Sequence, residues 1–105
     1  MTYCTILSTV NSIEEADALV TVLLENKAVA CVQTLSISSA YRWKGKIERS
    51  SEILMLIKTT DDLYPRVQEL IKANHPYDIP EIIKLSITDG LPEYLNWISQ
   101  ETKPY

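Results

Sequence analysis

The chain has 105 residues, of which 46% are hydrophobic and 23% charged, so it is long enough for one domain with its own core and too apolar for a disordered segment. Ten basic against fourteen acidic residues give a formal net charge of −4, which argues against nucleic acid as a partner, because phosphate binding needs a basic face. Residues 1–10, MTYCTILSTV, show neither a basic flank nor a long apolar run. No signal peptide and no membrane span are therefore expected, and the cytoplasm is the expected compartment. Cys4 and Cys31 would then be reduced, and with no C-x-x-C pair a closed zinc site is not expected.

In chain order, residues 3–9 include β-branched and aromatic residues and no breaker, which predicts a first strand. Ser12 followed by Glu15 has the spacing of a capping box, and Ile13, Ala16, Val20, Leu23 and Leu24 predict a helix running to Asn26 with one apolar face. Residues 28–43 contain no Gly or Pro. Their odd positions carry Val29, Cys31, Leu35, Ile37, Tyr41 and Trp43, which is the alternation of a long half-buried strand. Lys44-Gly45 predicts a turn, and a second long strand returns to Thr60. Within it, residues 53–57 are apolar on both faces, as in a central strand.

The hairpin tip, YRWKGKIERSSE, is polar with exposed aromatics. Long unpaired strands are an aggregation liability unless something covers them, so an oligomer is expected. Asp61 or Asp62 is expected to cap a second helix with Pro65 in its first turn, striped by Leu63, Val67, Leu70 and Ile71. Pro76 ends that helix at His75, the only histidine. Residues 81–88 predict a fourth strand. Asp89-Gly90 then turns the chain, Pro92 starts a short helix striped by Leu91, Leu95 and Ile98, and the tail ETKPY is expected to be loose. The order β-α-β-β-α-β plus a terminal helix predicts a single α+β domain over residues 1–105, a ferredoxin-like sandwich.

Three stretches together, AVACVQTLSISSAYRWKGKIERSSEILMLIKT, ANHPYDIPEI and LPEYLNWI, closely resemble the CutA family of divalent-cation tolerance proteins. The most specific parts are S-x-Y-x-W-x-G at residues 39–45, the K-T that follows the apolar run 53–57, and H-P-Y-x-x-P-E at residues 75–81. The resemblance implies a homotrimer of ferredoxin-like subunits, related in architecture to PII signalling proteins. It also implies an association with copper and other divalent metals, and, in eukaryotic members, with acetylcholinesterase anchoring. Some members carry a cysteine at the position of Ser8 and a histidine at the position of Asn74, both proposed copper ligands. Of the three, this chain keeps His75.

His75 is a ready ligand for Cu(II) or another divalent cation, and Asp78 and Glu81 nearby offer oxygen donors. As the end of a helix, His75 is equally placed to complement the helix dipole. Tyr41 and Trp43 suit either stacking on a planar ligand or packing against a neighbouring subunit. Glu52 and Lys58 share one side of the third strand. Under the family reading they line a polar pocket near Tyr41, His75 and Tyr77, in which Lys58 is placed to hold an anion, and under a PII-like reading they line an inter-subunit cleft with Trp43 and Tyr77. Cys31 falls in the family's A-C-V element and reads as a small buried hydrophobe. No G-x-S-x-G element, no phosphate loop and no acid partner for His75 is visible, so neither an enzyme nor an organic cofactor is expected. The expected function is divalent-metal binding, copper first, by a homotrimer. The alternatives are a PII-like signalling or adaptor trimer with a small ligand in its inter-subunit cleft, and a purely structural trimer.

Overall fold

The structure is a computed structural model that describes residues 1–103. Four strands form one antiparallel sheet in the order β2-β3-β1-β4. They are β1 (Tyr3–Val10), β2 (Cys31–Trp43), β3 (Lys46–Thr60) and β4 (Ile83–Ile87). Three helices, α1 (Ile13–Glu25), α2 (Tyr64–Asn74) and α3 (Pro92–Gln100), complete the βαββαβα order expected of a ferredoxin-like domain.

The β2–β3 ladder runs in unbroken register from Cys31↔Lys58 to Trp43↔Lys46. Its two-residue turn has positive φ at both Lys44 (50°) and Gly45 (79°). That is the geometry whose twist matches the flanking strands, and Gly45 takes it without strain. Beyond the end of the sheet core the hairpin is only two strands wide, and the molecule measures 44 × 25 × 21 Å.

One face of the sheet is covered by α1 and α2. Cys4, Ile6, Val10, Met55 and Ile57 from the strands meet Ala16, Leu19, Leu23, Val67 and Ile71 from the helices, all essentially inaccessible. The opposite face carries Leu7, Leu54 and Leu56, partly buried, together with the more exposed Leu35, Ile83 and Leu85. Helix α3 reaches one end of that face, where Tyr3 Oη lies 2.6 Å from Ser99 Oγ.

The capping box at α1 is formed: Ser12 Oγ accepts from Glu15 N–H at 3.2 Å, and Glu15 Oε1 accepts from Asn11 N–H at 2.9 Å. Several details differ from the sequence expectation. Leu19, absent from the expected stripe, is a core residue, whereas Ile13 and Leu24 sit at the exposed margins of α1. Asp61 and Asp62 do not cap α2 but form a 3-10 turn (Asp61–Leu63), and no side chain caps the helix. Asp62 instead accepts from the Thr60 hydroxyl at 2.5 Å. Strand β2 begins at Cys31 rather than at residue 28, because Lys27 adopts φ 54° and buries Ala28 and Val29 in the turn out of α1. Strand β4 is confined to Ile83–Ile87, the residues facing β1. The tail is tied down as far as Lys103, whose N–H donates to the Lys27 carbonyl at 2.8 Å, and the rest of ETKPY lies outside the described residues.

Candidate functional site

Pro76 forces the residue before it into extended backbone, and His75 leaves α2 with φ −97° and ψ 139°. The imidazole turns back onto the end of β1. Its Nδ1 accepts from the Tyr77 N–H at 3.1 Å, which fixes the proton on Nε2, and Nε2 donates to the Thr9 carbonyl at 2.8 Å. The Tyr77 ring packs edge-on against the imidazole, with centroids 4.7 Å apart. Both ring nitrogens are therefore engaged within the chain, and His75 staples the 75–82 loop to β1.

The staple delivers Tyr77 to the sheet. Its Oη lies 2.7 Å from Glu52 Oε2 and 2.7 Å from Asn11 Oδ1. A phenol carries one proton, and the charged carboxylate is the stronger acceptor. Asn11 completes the set when its amide presents the NH2 group to Oη. Burial, reinforced by the Glu52 carboxylate, holds the Tyr77 phenol well above the usual tyrosine range, so it remains a donor at any physiological pH. Glu52 itself is 8% exposed.

Around this pair lies a cavity of about 400 Å³. Glu52 and Tyr77 line it with Tyr41 and Trp43 from the hairpin and Asp78 and Glu81 from the loop, and Thr9, Asn11 and Ile79 complete the wall. No lining residue is basic. The sequence-predicted residues thus converge with two exceptions. His75 supports the cavity without lining it. Lys58 shares Glu52's side of β3 but stands six residues away, about 20 Å along the strand, where its ammonium donates to Gln33 Oε1 at 2.5 Å. Thr9, Asn11 and Ile79 escaped sequence reasoning. For Thr9 and Asn11 the available signal was their place at the end of β1, next to a helix cap.

Among the described residues no group of three or more His, Cys, Asp or Glu side chains is placed to hold a metal ion. The donors facing the cavity are oxygens. Cys4 is buried on the helix-covered face and Cys31 is half-buried on the other, and both are free. No helix among the described residues is long and apolar enough to cross a membrane.

Residues 4–101 match the family profile of the CutA1 divalent ion tolerance protein. A divalent-cation tolerance protein CutA from Thermus thermophilus is 41% identical over 92% of this chain and 95% of its own. A mouse Protein CutA is 44% identical over 77% of this chain, a match that spans 46% of the mouse protein. A solved structure from Archaeoglobus fulgidus, described as a periplasmic divalent cation tolerance protein CutA, superposes with a TM-score of 0.94 at 38% identity, covering 96% of this chain and 99% of that one.

Proposed function

The chain belongs to the CutA1 divalent ion tolerance family, and from that premise we propose that it binds divalent cations as a cytoplasmic homotrimer. The observation that carries the reading is the composition of the cavity: Glu52, Asp78 and Glu81 face one space, and no basic residue among the lining offsets them. Such a space draws cations.

The donor set fits a divalent ion in kind. Carboxylate and hydroxyl oxygens suit Mg²⁺, Mn²⁺ and Ca²⁺ ahead of Cu(II), which prefers imidazole nitrogen. Because no three such side chains among the described residues are placed to hold a metal ion, the cavity carboxylates act under this reading together with water and donors from a neighbouring subunit. Copper binding by His75 requires the imidazole to give up one of its two internal bonds. Otherwise His75 acts by positioning Tyr77, Asp78 and Glu81. The function is binding, without a catalytic step.

The trimer is supported by the half-exposed leucines and isoleucines of the open sheet face, and by the two edge strands β2 and β4, whose outer sides have no strand partner among the described residues. An edge-to-edge, head-to-tail contact that closes into a ring removes both edges. Free Cys4 and Cys31 on opposite faces of the sheet fit a reducing compartment.

The test is a competition titration of the purified protein with Mn²⁺ and Cu²⁺ against a chelator, repeated on Asp78→Asn/Glu81→Gln and on His75→Ala, with mass measured by sedimentation. Mn²⁺ affinity that falls at least tenfold in the carboxylate variant supports the cavity. Binding that persists there and disappears with His75→Ala returns the site to the imidazole. A monomer at micromolar concentration defeats the trimer.

A further inference from the structure

We infer that the same cavity takes an organic cation, a small amine whose ammonium sits against Glu52 while its apolar body lies between Tyr41 and Trp43. This rests on the reading of the cavity as a cation site and names a second ligand class for it.

The first observation is size. About 400 Å³ is the volume of roughly a dozen waters, far more than one metal ion fills, and lies within the range of small-molecule pockets. The second is the carboxylate at its inner wall. Glu52 is 8% exposed and projects from the central strand β3, and its hydrogen bond is to the Tyr77 hydroxyl, a neutral group. A buried carboxylate served by a neutral donor gains from a cation brought to it, because the surrounding apolar rings weaken the screening. The third is the aromatic wall. Tyr41 and Trp43 are two residues apart on one face of β2 and line the cavity, although each is nearly half exposed. Rings beside a carboxylate select positive charge carried on a carbon body, since the ring face attracts the cation and the ring edge covers the alkyl part. Trp43 already draws one ammonium: Lys44 Nζ stands 5.9 Å from its ring centroid. Anions are repelled by Glu52, Asp78 and Glu81, and a neutral polar ligand leaves Glu52 without a countercharge.

The experiment uses n-butylammonium, n-pentanol as a neutral alcohol with one more methylene, and Mn²⁺ as the metal probe. Binding to the intact oligomer is read by ligand-observed saturation-transfer NMR and by calorimetry. The expected result is butylammonium binding at least tenfold tighter than pentanol. It weakens at least tenfold in Glu52→Gln, which keeps the acceptor for Tyr77 but not the charge, and in Trp43→Leu, and it is unchanged in Lys58→Gln. Circular dichroism and sedimentation confirm that each variant is folded and assembled. Pentanol binding as tightly as the ammonium, or Glu52→Gln binding as the parent does, overturns the inference. Mn²⁺ bound with butylammonium ignored removes the amine and leaves the metal reading. Butylammonium bound with Mn²⁺ ignored leaves the amine and removes the metal, and silence from both probes removes both.

Discussion

The two faces of the one sheet use the same kinds of side chain to different ends. On the helix-covered face Ile6, Met55 and Ile57 are sealed from solvent within the subunit. On the other face Leu35, Ile83 and Leu85 each keep close to half of their surface exposed. Hydrophobicity alone therefore does not make a core. What separates the faces is whether the chain carries an amphipathic helix to lay over them, and both long helices are spent on one side.

Substitutions on each face break or sharpen that contrast. Ile57→Ala leaves a cavity under α1 and α2 and is expected to lower stability by about 2–5 kcal/mol at any protein concentration, checked by urea denaturation across a dilution series. Leu85→Asp is expected to be near neutral for the isolated subunit. If the open face is an interface, it raises the subunit dissociation constant at least a hundredfold, read by sedimentation. An assembly that tolerates the aspartate defeats the assignment of that face.

Smaller effects probe the loop and the interior. His75→Ala removes the bonds to Thr9 and Tyr77 and leaves a carbonyl and an amide seeking water, for an expected loss of about 1–3 kcal/mol. It should also loosen the Tyr77–Glu52 contact, visible as faster amide exchange over residues 76–81. Burial, with Asp61 adding to it, pushes the Cys4 thiol up to about 11 from 9.0. The unfolded chain thus loses its proton first as pH rises. Stability contributed at neutral pH is expected to decline from about pH 9 through 11, and the decline should be absent in Cys4→Ala. The smallest effect belongs to Ser8, fully buried with a hydroxyl that has no hydrogen-bond partner among the described residues. Ser8→Ala removes an unpaired polar group and should raise stability by up to about 1 kcal/mol, measured by thermal denaturation.

Most of the architecture was legible because its signals are local. Ser12 and Glu15 announce the start of α1, Pro76 dictates the exit from α2, and the alternation through residues 28–43 marks a long strand. The misses came where a tertiary partner decided the outcome. Asp61 and Asp62 look like caps in isolation, yet Lys84 on β4 draws Asp61 into an ion pair at 3.3 Å. Lys58 and Glu52 share a strand face about 20 Å apart along the strand, but periodicity says nothing of which end of that strand faces a cavity. His75 looked free because its acceptor is a backbone carbonyl 66 positions earlier. No side-chain pattern encodes that bond.

The pairing of β1 with β4 aligns Tyr3 with Ile87, and Met1 Sδ accepts from the Ser99 hydroxyl at 3.1 Å, so the two ends of the described chain meet at one pole. The Lys44-Gly45 turn closes the long hairpin on which that pole has no hold. A circularly permuted chain, its old ends joined by a short linker and new ends opened at this turn, would keep every strand neighbour. It would, however, convert the longest local ladder into a closure between the two chain termini. Such a permutant is expected to reach the same fold more slowly, because the hairpin that could zip from its own turn would have to wait for the rest of the sheet.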